Sequence, residues 1–228
     1  MDFQQLVKFL HQLAANNNKV WFDAHRDEYQ TLRAEFTDFV ADLILGMAEF
    51  DESVRQVNPR ESLFRINRDM RFSKDKSPYN TTFSAAICPE GRNSGWPTYY
   101  FHVNERGTLL QAAGIYMPDK QTLTRIRDDI ATHPERLEKI LHAAAFKREF
   151  GQITGDSLKR PPAGYGADLP LIDEIKRTSF NVFKEYAVQG LDEHQMLSHM
   201  VGHFKHMYPF VSWMRAAIVT DQSAARSG

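Results

Sequence analysis

The sequence predicts a single α+β domain, with a central antiparallel sheet of about four to five strands and with helices N-terminal and C-terminal to that sheet. Three observations support this prediction. Apolar residues recur at three- and four-residue spacing before residue 60 and after residue 118, which is the period of an amphipathic helix. Between about residues 63 and 117 the period changes to two, as in half-buried strands. The strand-like segments are short and sequential, which favours antiparallel pairing.

Two helices are predicted before the sheet. The first begins behind Asp2, and the three asparagines 16–18 end it and cap the next helix. The second helix is predicted to run without a break until Asn58 and Pro59 close the helical region. It has the longest apolar stripe of the sequence, formed by Trp21, His25, Tyr29, Leu32, Phe36, Phe39, Val40, Leu43, Ile44 and Met47.

The central segments alternate in polarity and are predicted to be strands over 64–72, 81–88, 98–103 and 108–117. The loop NERG, 104–107, fits a hairpin between the last two. In the first of these strands one face is apolar and the other is polar. The apolar face holds Phe64, Ile66, Met70 and Phe72, and the polar face holds Arg65, Asn67, Asp69 and Arg71.

The C-terminal half returns to helices. The pattern predicts, in order, helices beginning at 118 and 133, a loop over 158–170, a strand over 180–188 and helices over 192–207 and 209–219. Prolines and glycines exclude regular structure from the loop, and Pro209 is expected to separate the last two helices because proline lacks an amide donor. The predicted domain covers residues 1–220, and 221–228 form a polar tail.

Composition excludes several classes of protein. The 228 residues contain 28 Lys and Arg against 29 Asp and Glu, so the formal net charge of -1 disfavours nucleic acid as a partner. Cys88 is the single cysteine, which fits a reducing compartment. The chain starts without a secretory signal and contains no apolar run long enough to span a membrane. We therefore expect a soluble, cytoplasmic protein without a membrane partner.

The stretch RINRDMRFSKDKSPYN, 65–80, contains five basic and two acidic residues. Arg68 falls within the apolar row, and burying a guanidinium is costly unless it is paired. It is expected either to bond a carboxylate such as Asp23, Glu28 or Asp69, or to be turned outward by a bulge. A third possibility is that Arg68 or Arg71 faces a cleft together with Lys74 and Lys76, where they would hold a phosphate or carboxylate.

Other chemistries find little support. His199 and His203 are one helical turn apart and could bind a metal, but no glutamate occupies the zincin position between them. The sequence contains no Gly-x-Ser-x-Gly elbow, P-loop or dinucleotide fingerprint. We therefore predict no metal and no cofactor. Asp69 and Asp75 are the acids of the basic stretch, and each is expected to orient a neighbouring cation.

Several motifs resemble domain-of-unknown-function family 2461, a mostly bacterial group of conserved hypothetical proteins. The resemblance runs from about residue 3 to about residue 218. It rests on NNNKVWFDAHRDEY (16–29), LFRINRDMRFSKDKSPYN (63–80), YYFHV (99–103), AGIYMP (113–118), IR (126–127) and LKRPPAGYG (158–166). It implies a single α+β domain in a soluble cytoplasmic protein, and no established activity.

Three places in this chain resemble the signature of that family. These are Asn16, Asn17, Trp21 and Phe22; then Arg68, Asp69, Arg71, Phe72, Ser73, Lys74, Asp75 and Lys76; then Lys159, Pro161 or Pro162, Gly164 and Tyr165. The chain departs from the pattern at Asn80 and Thr178, where members usually carry lysine. Polar and basic loops of this kind are better explained by a binding site than by packing.

The preferred hypothesis is a site for a small phosphate- or carboxylate-bearing molecule, and the residues leave open whether it is enzymatic. Its expected ligand-binding residues are Trp21, Arg68, Asp69, Arg71, Lys74, Lys76, Tyr79, Lys159 and Tyr165. One alternative is a non-enzymatic module in which the basic loop docks a protein or a nucleic acid. Another is a purely structural signature that locks helix to sheet.

Overall fold

The computed structural model describes residues 1–69, 71 and 76–219. It contains both helices and a four-stranded antiparallel sheet, as the sequence predicts. The helices are α1 (Phe3–Ala15), α2 (Lys19–Ala24), α3 (Arg26–Met47), α4 (Pro59–Ser62), α5 (Lys120–Thr132), α6 (Pro134–His142), α7 (Ala144–Glu149), α8 (Ile172–Ile175) and α9 (Glu193–Val219). The strands are β1 (Thr82–Ile87), β2 (Thr98–Asn104), β3 (Thr108–Ile115) and β4 (Phe180–Ala187).

The sheet has the order β1-β2-β3-β4, so each strand pairs with its neighbour in sequence. The predicted hairpin loop joins β2 to β3. There the Gly107 amide donates to the Asn104 carbonyl at 3.0 Å, and Gly107 has φ +73°, a conformation that glycine adopts without strain. The side chain of Asn104 accepts from the amides of Arg106 and Thr108, which fixes the turn.

The chain divides into two compact units. That residues 1–220 form a single domain stays a prediction from the sequence. The first unit comprises Met1–Gly91, Tyr100–Gln111 and Glu185–His203. Its core packs α1 and α3 against strand side chains. The Phe3 and Phe39 rings meet edge to face at 5.0 Å, and Phe36 contacts Phe83 and Phe101 at 5.4 and 5.5 Å.

The second unit comprises Arg92–Tyr99, Ala112–Lys184 and the described part of Phe204–Gly228. Ile126, Ile130 and Leu137 are fully buried in it. Asp129 is a buried carboxylate here, and it accepts hydrogen bonds from the Trp213 Nε1 at 2.8 Å and the Arg136 Nη1 at 2.7 Å. Burial of this acid is therefore compensated by partners, as burial of a charge requires.

The long N-terminal helix is interrupted, contrary to the prediction. His25 ends α2 and precedes α3 with φ -112° and ψ 18°, outside helical values. Its ring Nδ1 lies 2.8 Å from the Trp21 carbonyl oxygen, so the side chain bonds the last turn of α2. Asn58 and Pro59 were also expected to close the helical region, but they open α4, where the Asn58 side chain accepts from the Arg60 amide.

The prediction of two C-terminal helices is wrong, because α9 continues through Pro209. An internal proline costs about 3 kcal/mol, whereas each buried large apolar side chain contributes about 1.5–3 kcal/mol. Buried side chains recur on both sides of the proline, so their packing outweighs the lost hydrogen bond. They are Met196, Met200, Phe204, Met207, Phe210, Val211 and Met214.

The strand predicted over 64–72 is not a regular strand over its described residues. Leu63 and Asn67 form isolated antiparallel bridges with Ala85 and Tyr79. Two backbone hydrogen bonds, Phe64 N to Ser84 O and Asn80 N to Ile66 O, join the two sides of the hairpin. Between these bonds one side advances by two residues, from 64 to 66, while the other advances by four, from 80 to 84. This mismatch is a bulge, which breaks the regular ladder. Met70 and Phe72 lie outside the described residues.

Candidate functional site

The described site residues predicted in the first unit lie on and around an irregular hairpin, formed by the described part of residues 63–85. We call the described part of residues 65–76 the basic segment. Three of its members, Arg65, Arg71 and Lys76, are exposed, whereas Arg68 is half-buried. Lys74 and Asp75 lie outside the described residues. The convergence of all these cations on one hollow therefore stays a prediction.

Asn17 holds this hairpin to the α1–α2 connection. Its side-chain amide donates to the Tyr79 carbonyl at 3.0 Å, and its side-chain oxygen accepts from the Tyr79 amide at 3.0 Å. The asparagine therefore satisfies both backbone groups of one residue, as a neighbouring strand would. The sequence indicated that Asn17 belongs to a signature, but not that it acts 62 residues away along the chain.

The rings of Phe22 and Tyr79 stack 4.0 Å apart, with an angle of 18° between them. They are 3% and 6% exposed, so both are used in packing. We call Asn17, Phe22 and Tyr79 the hairpin anchor. The role of Tyr79 as a ligand-stacking surface stays a prediction, but its observed contacts give it a structural role.

Trp21 is half-buried and precedes the anchor residue Phe22. Its ring stacks on that of His25 at 3.9 Å, with an angle of 15°, and lies 5.8 Å from Phe9. The adjacent signature residues Trp21 and Phe22 thus contact different parts of the unit. Phe22 contacts the hairpin, while Trp21 packs on its own helix and on α1.

Asp69 and Arg71 form a two-pronged ion pair at the basic segment. The Arg71 Nε lies 3.0 Å from the Asp69 Oδ1, and its Nη2 lies 2.6 Å from the Oδ2. The hydrogen bonds from Arg71 hold the pKa of the Asp69 carboxyl below its usual range, and nearby Arg65 lowers it slightly further. Asp69 therefore orients Arg71, as the sequence suggested, while 76% of the Arg71 side chain stays exposed.

Two of the carboxylates expected to bond Arg68, Asp23 and Asp69, form ion pairs with other cations. Asp23 pairs with Lys19 and Arg26, and Asp69 pairs with Arg71. The Arg68 amide donates to the Pro78 carbonyl at 2.9 Å, which places the residue in the hairpin ladder. Whether its side chain holds a ligand stays a prediction.

A small cleft lies at the base of the hairpin, beside Arg33, Phe64 and Ser84. Its volume of about 10 Å³ is close to the space needed for one water molecule. It is therefore too small for a phosphate-bearing ligand. The exposed cations Arg65, Arg71 and Lys76 are not part of its lining.

The signature loop that contains Lys159 and Tyr165 belongs to the second unit. The Tyr165 hydroxyl donates to the Asp128 Oδ1 at 2.7 Å, and burial together with Asp128 raises the pKa of Tyr165 to about 12. Lys159 is exposed. Arg127 is a residue that the sequence did not single out for contacts. It donates to the Ile175 carbonyl at 2.8 Å and so ties α5 to the end of α8.

Among the described residues, the C-terminal histidines included, no group of three or more His, Cys, Asp or Glu could hold a metal. The Nδ1 of His203 instead lies 3.1 Å from the Oε1 of buried Gln111, which also accepts from the Tyr186 hydroxyl at 2.7 Å. The Gln111 amide donates to the Met200 carbonyl. A glutamine within an alternating strand could have signalled this network, because a buried amide needs several partners.

The motif YYFHV divides by strand periodicity. Tyr99, Phe101 and Val103 are fully buried, whereas Tyr100 and His102 are half-buried on the opposite side of β2. The His102 Nδ1 lies 3.2 Å from the Tyr100 hydroxyl oxygen. Burial lowers the pKa of His102, which favours its neutral form. The motif is therefore explained mainly by packing on the sheet.

Within the described residues, no helix is long and apolar enough to cross a membrane. Comparison with curated proteins and with solved structures finds no match. A family model does match, over residues 5–213 of the 228. The chain thus belongs to the family described as "Conserved hypothetical protein (DUF2461)".

Proposed function

We propose that this protein binds a small anionic molecule, bearing a phosphate or a carboxylate, at the basic segment. Residues 65–76 contain five basic and two acidic side chains, which leaves a net charge of +3 in a chain whose total is -1. Local positive charge of this size attracts anions although the whole protein does not. The exposure of Arg65, Arg71 and Lys76 is the observation that supports the proposal most directly.

The hairpin anchor supports the proposal in a second way. Two hydrogen bonds between Asn17 and Tyr79 and the stacking of Phe22 fix the chain on the C-terminal side of the basic segment. A fixed attachment reduces the ordering cost that a ligand would otherwise have to overcome. The Asp69–Arg71 pair similarly presents one guanidinium in a set orientation, with most of its surface open.

The test is a thermal-shift and calorimetry series with inorganic phosphate, citrate, nucleotides and sugar phosphates at constant ionic strength. A ligand that binds the native state raises the melting temperature. The double variant Arg65→Ala with Lys76→Ala should bind about five- to tenfold more weakly, because each exposed charge pair contributes up to about 1 kcal/mol. The control is Lys8→Ala, an exposed lysine on α1.

The outcomes separate clearly. Weaker binding in the double variant with unchanged binding in the control supports the proposal. Equal binding in wild type and double variant places the ligand elsewhere. The proposal is contradicted if none of the tested anions stabilises the protein.

Exposure also favours a second candidate, an interaction module that docks an acidic protein surface. Exposed cations can contact a macromolecular partner, and binding of this kind weakens strongly as the salt concentration rises. A polyglutamate peptide is the appropriate probe. Binding of this peptide that falls steeply with salt, together with no response to small anions, would favour the second candidate over the first.

A further inference from the structure

A groove on the first unit is separate from the basic segment and has a different composition. It is lined by residues of α3 and α4, and its volume is about 310 Å³. We call it the α3 groove. Pockets of small-molecule sites begin at about this size. Its lining residues are Gln30, Arg33, Ala34, Thr37, Asp38 and Arg60.

The lining follows one face of α3. Five of the six residues lie at positions 30, 33, 34, 37 and 38, which is the spacing that places side chains on one helix face. This spacing usually marks an apolar stripe that packs on a core. Here four of the five residues are polar or charged, the exception being Ala34, and the stripe borders open space. The core of α3 uses other positions, such as Leu32, Phe36 and Leu43.

Arg33 is held in place within this groove. It is half-buried, and its Nη1 lies 3.2 Å from the Tyr29 hydroxyl oxygen and 3.4 Å from the Phe64 carbonyl oxygen. A guanidinium has five N–H donors, and these contacts involve Nη1 alone. The other N–H groups of Arg33 can therefore donate to a ligand in the groove, while the contacts of Nη1 hold the side chain in position.

Arg60 supplies the second cation from α4. Its backbone amide donates to the Asn58 side chain at 3.0 Å, which fixes the start of that helix, and its side chain is exposed at the groove. Two guanidinium groups at one recess favour a ligand with anionic oxygens, since arginine binds carboxylate and phosphate through paired N–H donors.

The remaining groups narrow the class of ligand. Asp38 is a carboxylate at the same groove, so the lining carries a net charge of +1 and disfavours a polyanion. A carboxylate accepts from a hydroxyl or an ammonium group, and the Gln30 amide can both donate and accept. We infer that the α3 groove binds a small molecule that has one carboxylate or phosphate and, beside it, hydroxyl or ammonium donors.

The inference does not rest on the proposed function of the basic segment. The two sites share no residue, although Arg33 bonds the carbonyl of Phe64, directly before Arg65. Suitable probes are gluconate, glucose 6-phosphate and sorbitol, three hydroxyl-rich six-carbon molecules that carry a carboxylate, a phosphate and no charge. Amide shifts in two-dimensional NMR spectra of the full chain locate each probe.

We expect gluconate or glucose 6-phosphate to shift the amide signals of Gln30, Thr37 and Arg60, and sorbitol to leave them unchanged. Arg60→Ala should weaken binding about tenfold, since it removes a charge-assisted contact. Its matched control is Arg55→Ala, an exposed arginine that pairs with Glu52 and does not line the groove.

A second variant blocks the groove without changing its charge. Ala34 is exposed on α3, and leucine is a good helix former, so Ala34→Leu should keep the fold while filling the recess. Ala14→Leu on α1 is the control, because Ala14 is also exposed on a helix. Ala34→Leu should lose binding at least about tenfold, and Ala14→Leu should bind as the wild type does.

The results distinguish the two sites. Shifts confined to the groove, with normal binding in the Arg65→Ala and Lys76→Ala double variant, support the groove and leave the basic segment without this ligand. Shifts confined to Arg65, Lys76 and their neighbours overturn the inference but support the proposed function. Binding unaffected by Arg60→Ala and Ala34→Leu overturns the inference, as does no shift by any probe up to about 10 mM.

Discussion

The hairpin anchor adjoins the basic segment in the chain only at Tyr79, three residues after Lys76, and the two groups differ in burial. The anchor residues Phe22 and Tyr79 are almost fully buried and stacked, and Asn17 satisfies backbone groups. In the basic segment Arg65, Arg71 and Lys76 are exposed, and its carboxylate Asp69 is satisfied by a neighbour two residues away. Burial makes the first group important for stability, whereas solvent screening makes the second nearly neutral for stability.

This difference shows that one signature can combine two roles. The two motifs of the family resemblance at 16–29 and 63–80 contain both residues that hold the hairpin and residues that face solvent. A residue such as Tyr79, expected to line a ligand site, has contacts that are sufficient to explain it by packing. Arg65, Arg71 and Lys76 are exposed instead, and the proposed function rests on their exposure.

The largest expected effect is at the anchor ring. Phe22→Ala should lower the free energy of unfolding by about 3–5 kcal/mol, because it removes a buried ring and leaves a cavity beside Tyr79. Urea denaturation measures this change. The control is Val20→Ala in the same helix, where the side chain is 82% exposed and the expected change is within about 0.5 kcal/mol. Similar losses in both variants would show that Phe22 does not anchor the hairpin.

The next effect concerns the asparagine. Asn17→Ala should cost about 1–3 kcal/mol, because the amide and the carbonyl of Tyr79 both lose their side-chain partner. Asn16→Ala is the control, since Asn16 is exposed and bonds only the nearby Gln12 carbonyl through its side chain. Its unfolding free energy should change by less than about 0.5 kcal/mol. Equal costs at the two positions would contradict the role given to Asn17.

Much of the fold follows from periodicity. The predicted strands 81–88, 98–103, 108–117 and 180–188 correspond to β1, β2, β3 and β4 within two residues at each end. These segments alternate strongly, and local pattern determines them. The helices predicted to begin behind Asp2, at 118 and at 133 correspond to α1, α5 and α6, which begin at Phe3, Lys120 and Pro134.

The errors arise where distant contacts override local preference. Pro209 would break an isolated helix, but the packed side chains on both sides keep α9 continuous. The bulge between Ile66 and Ser84 depends on pairing partners that sequence spacing does not specify. The α3 groove was not predicted either, because Arg33 and Arg60 are 27 residues apart and meet only after folding.

The basic segment should show the opposite behaviour to the anchor. Arg65→Ala with Lys76→Ala should change the unfolding free energy by less than about 0.5 kcal/mol, because both side chains are exposed. Urea denaturation under the conditions used for Phe22→Ala gives the direct comparison. A loss above about 1 kcal/mol would mean that the cations support the fold, and it would favour the purely structural interpretation of the signature.

The smallest effect tests the ion pair of the basic segment. In the wild type, hydrogen bonds from Arg71 hold the pKa of Asp69 below the ordinary value of 3.8. Arg71→Ala should raise this pKa towards 3.8, which a ¹³C NMR titration of the carboxyl group measures.

The sign of the stability effect follows from the lowered pKa. Since the folded state binds this proton less tightly than the unfolded state, the pair contributes above pH 3.8 and its contribution disappears as the pH falls through the folded pKa. Solvent exposure keeps that contribution small. Arg26→Ala is the matched control, because Arg26 pairs with Asp23 and should raise the pKa of that carboxyl alone. An Asp69 pKa that is unchanged in Arg71→Ala would mean that Arg71 is not oriented by Asp69 in solution, and a guanidinium without a fixed orientation would weaken the case for an anion site at the basic segment.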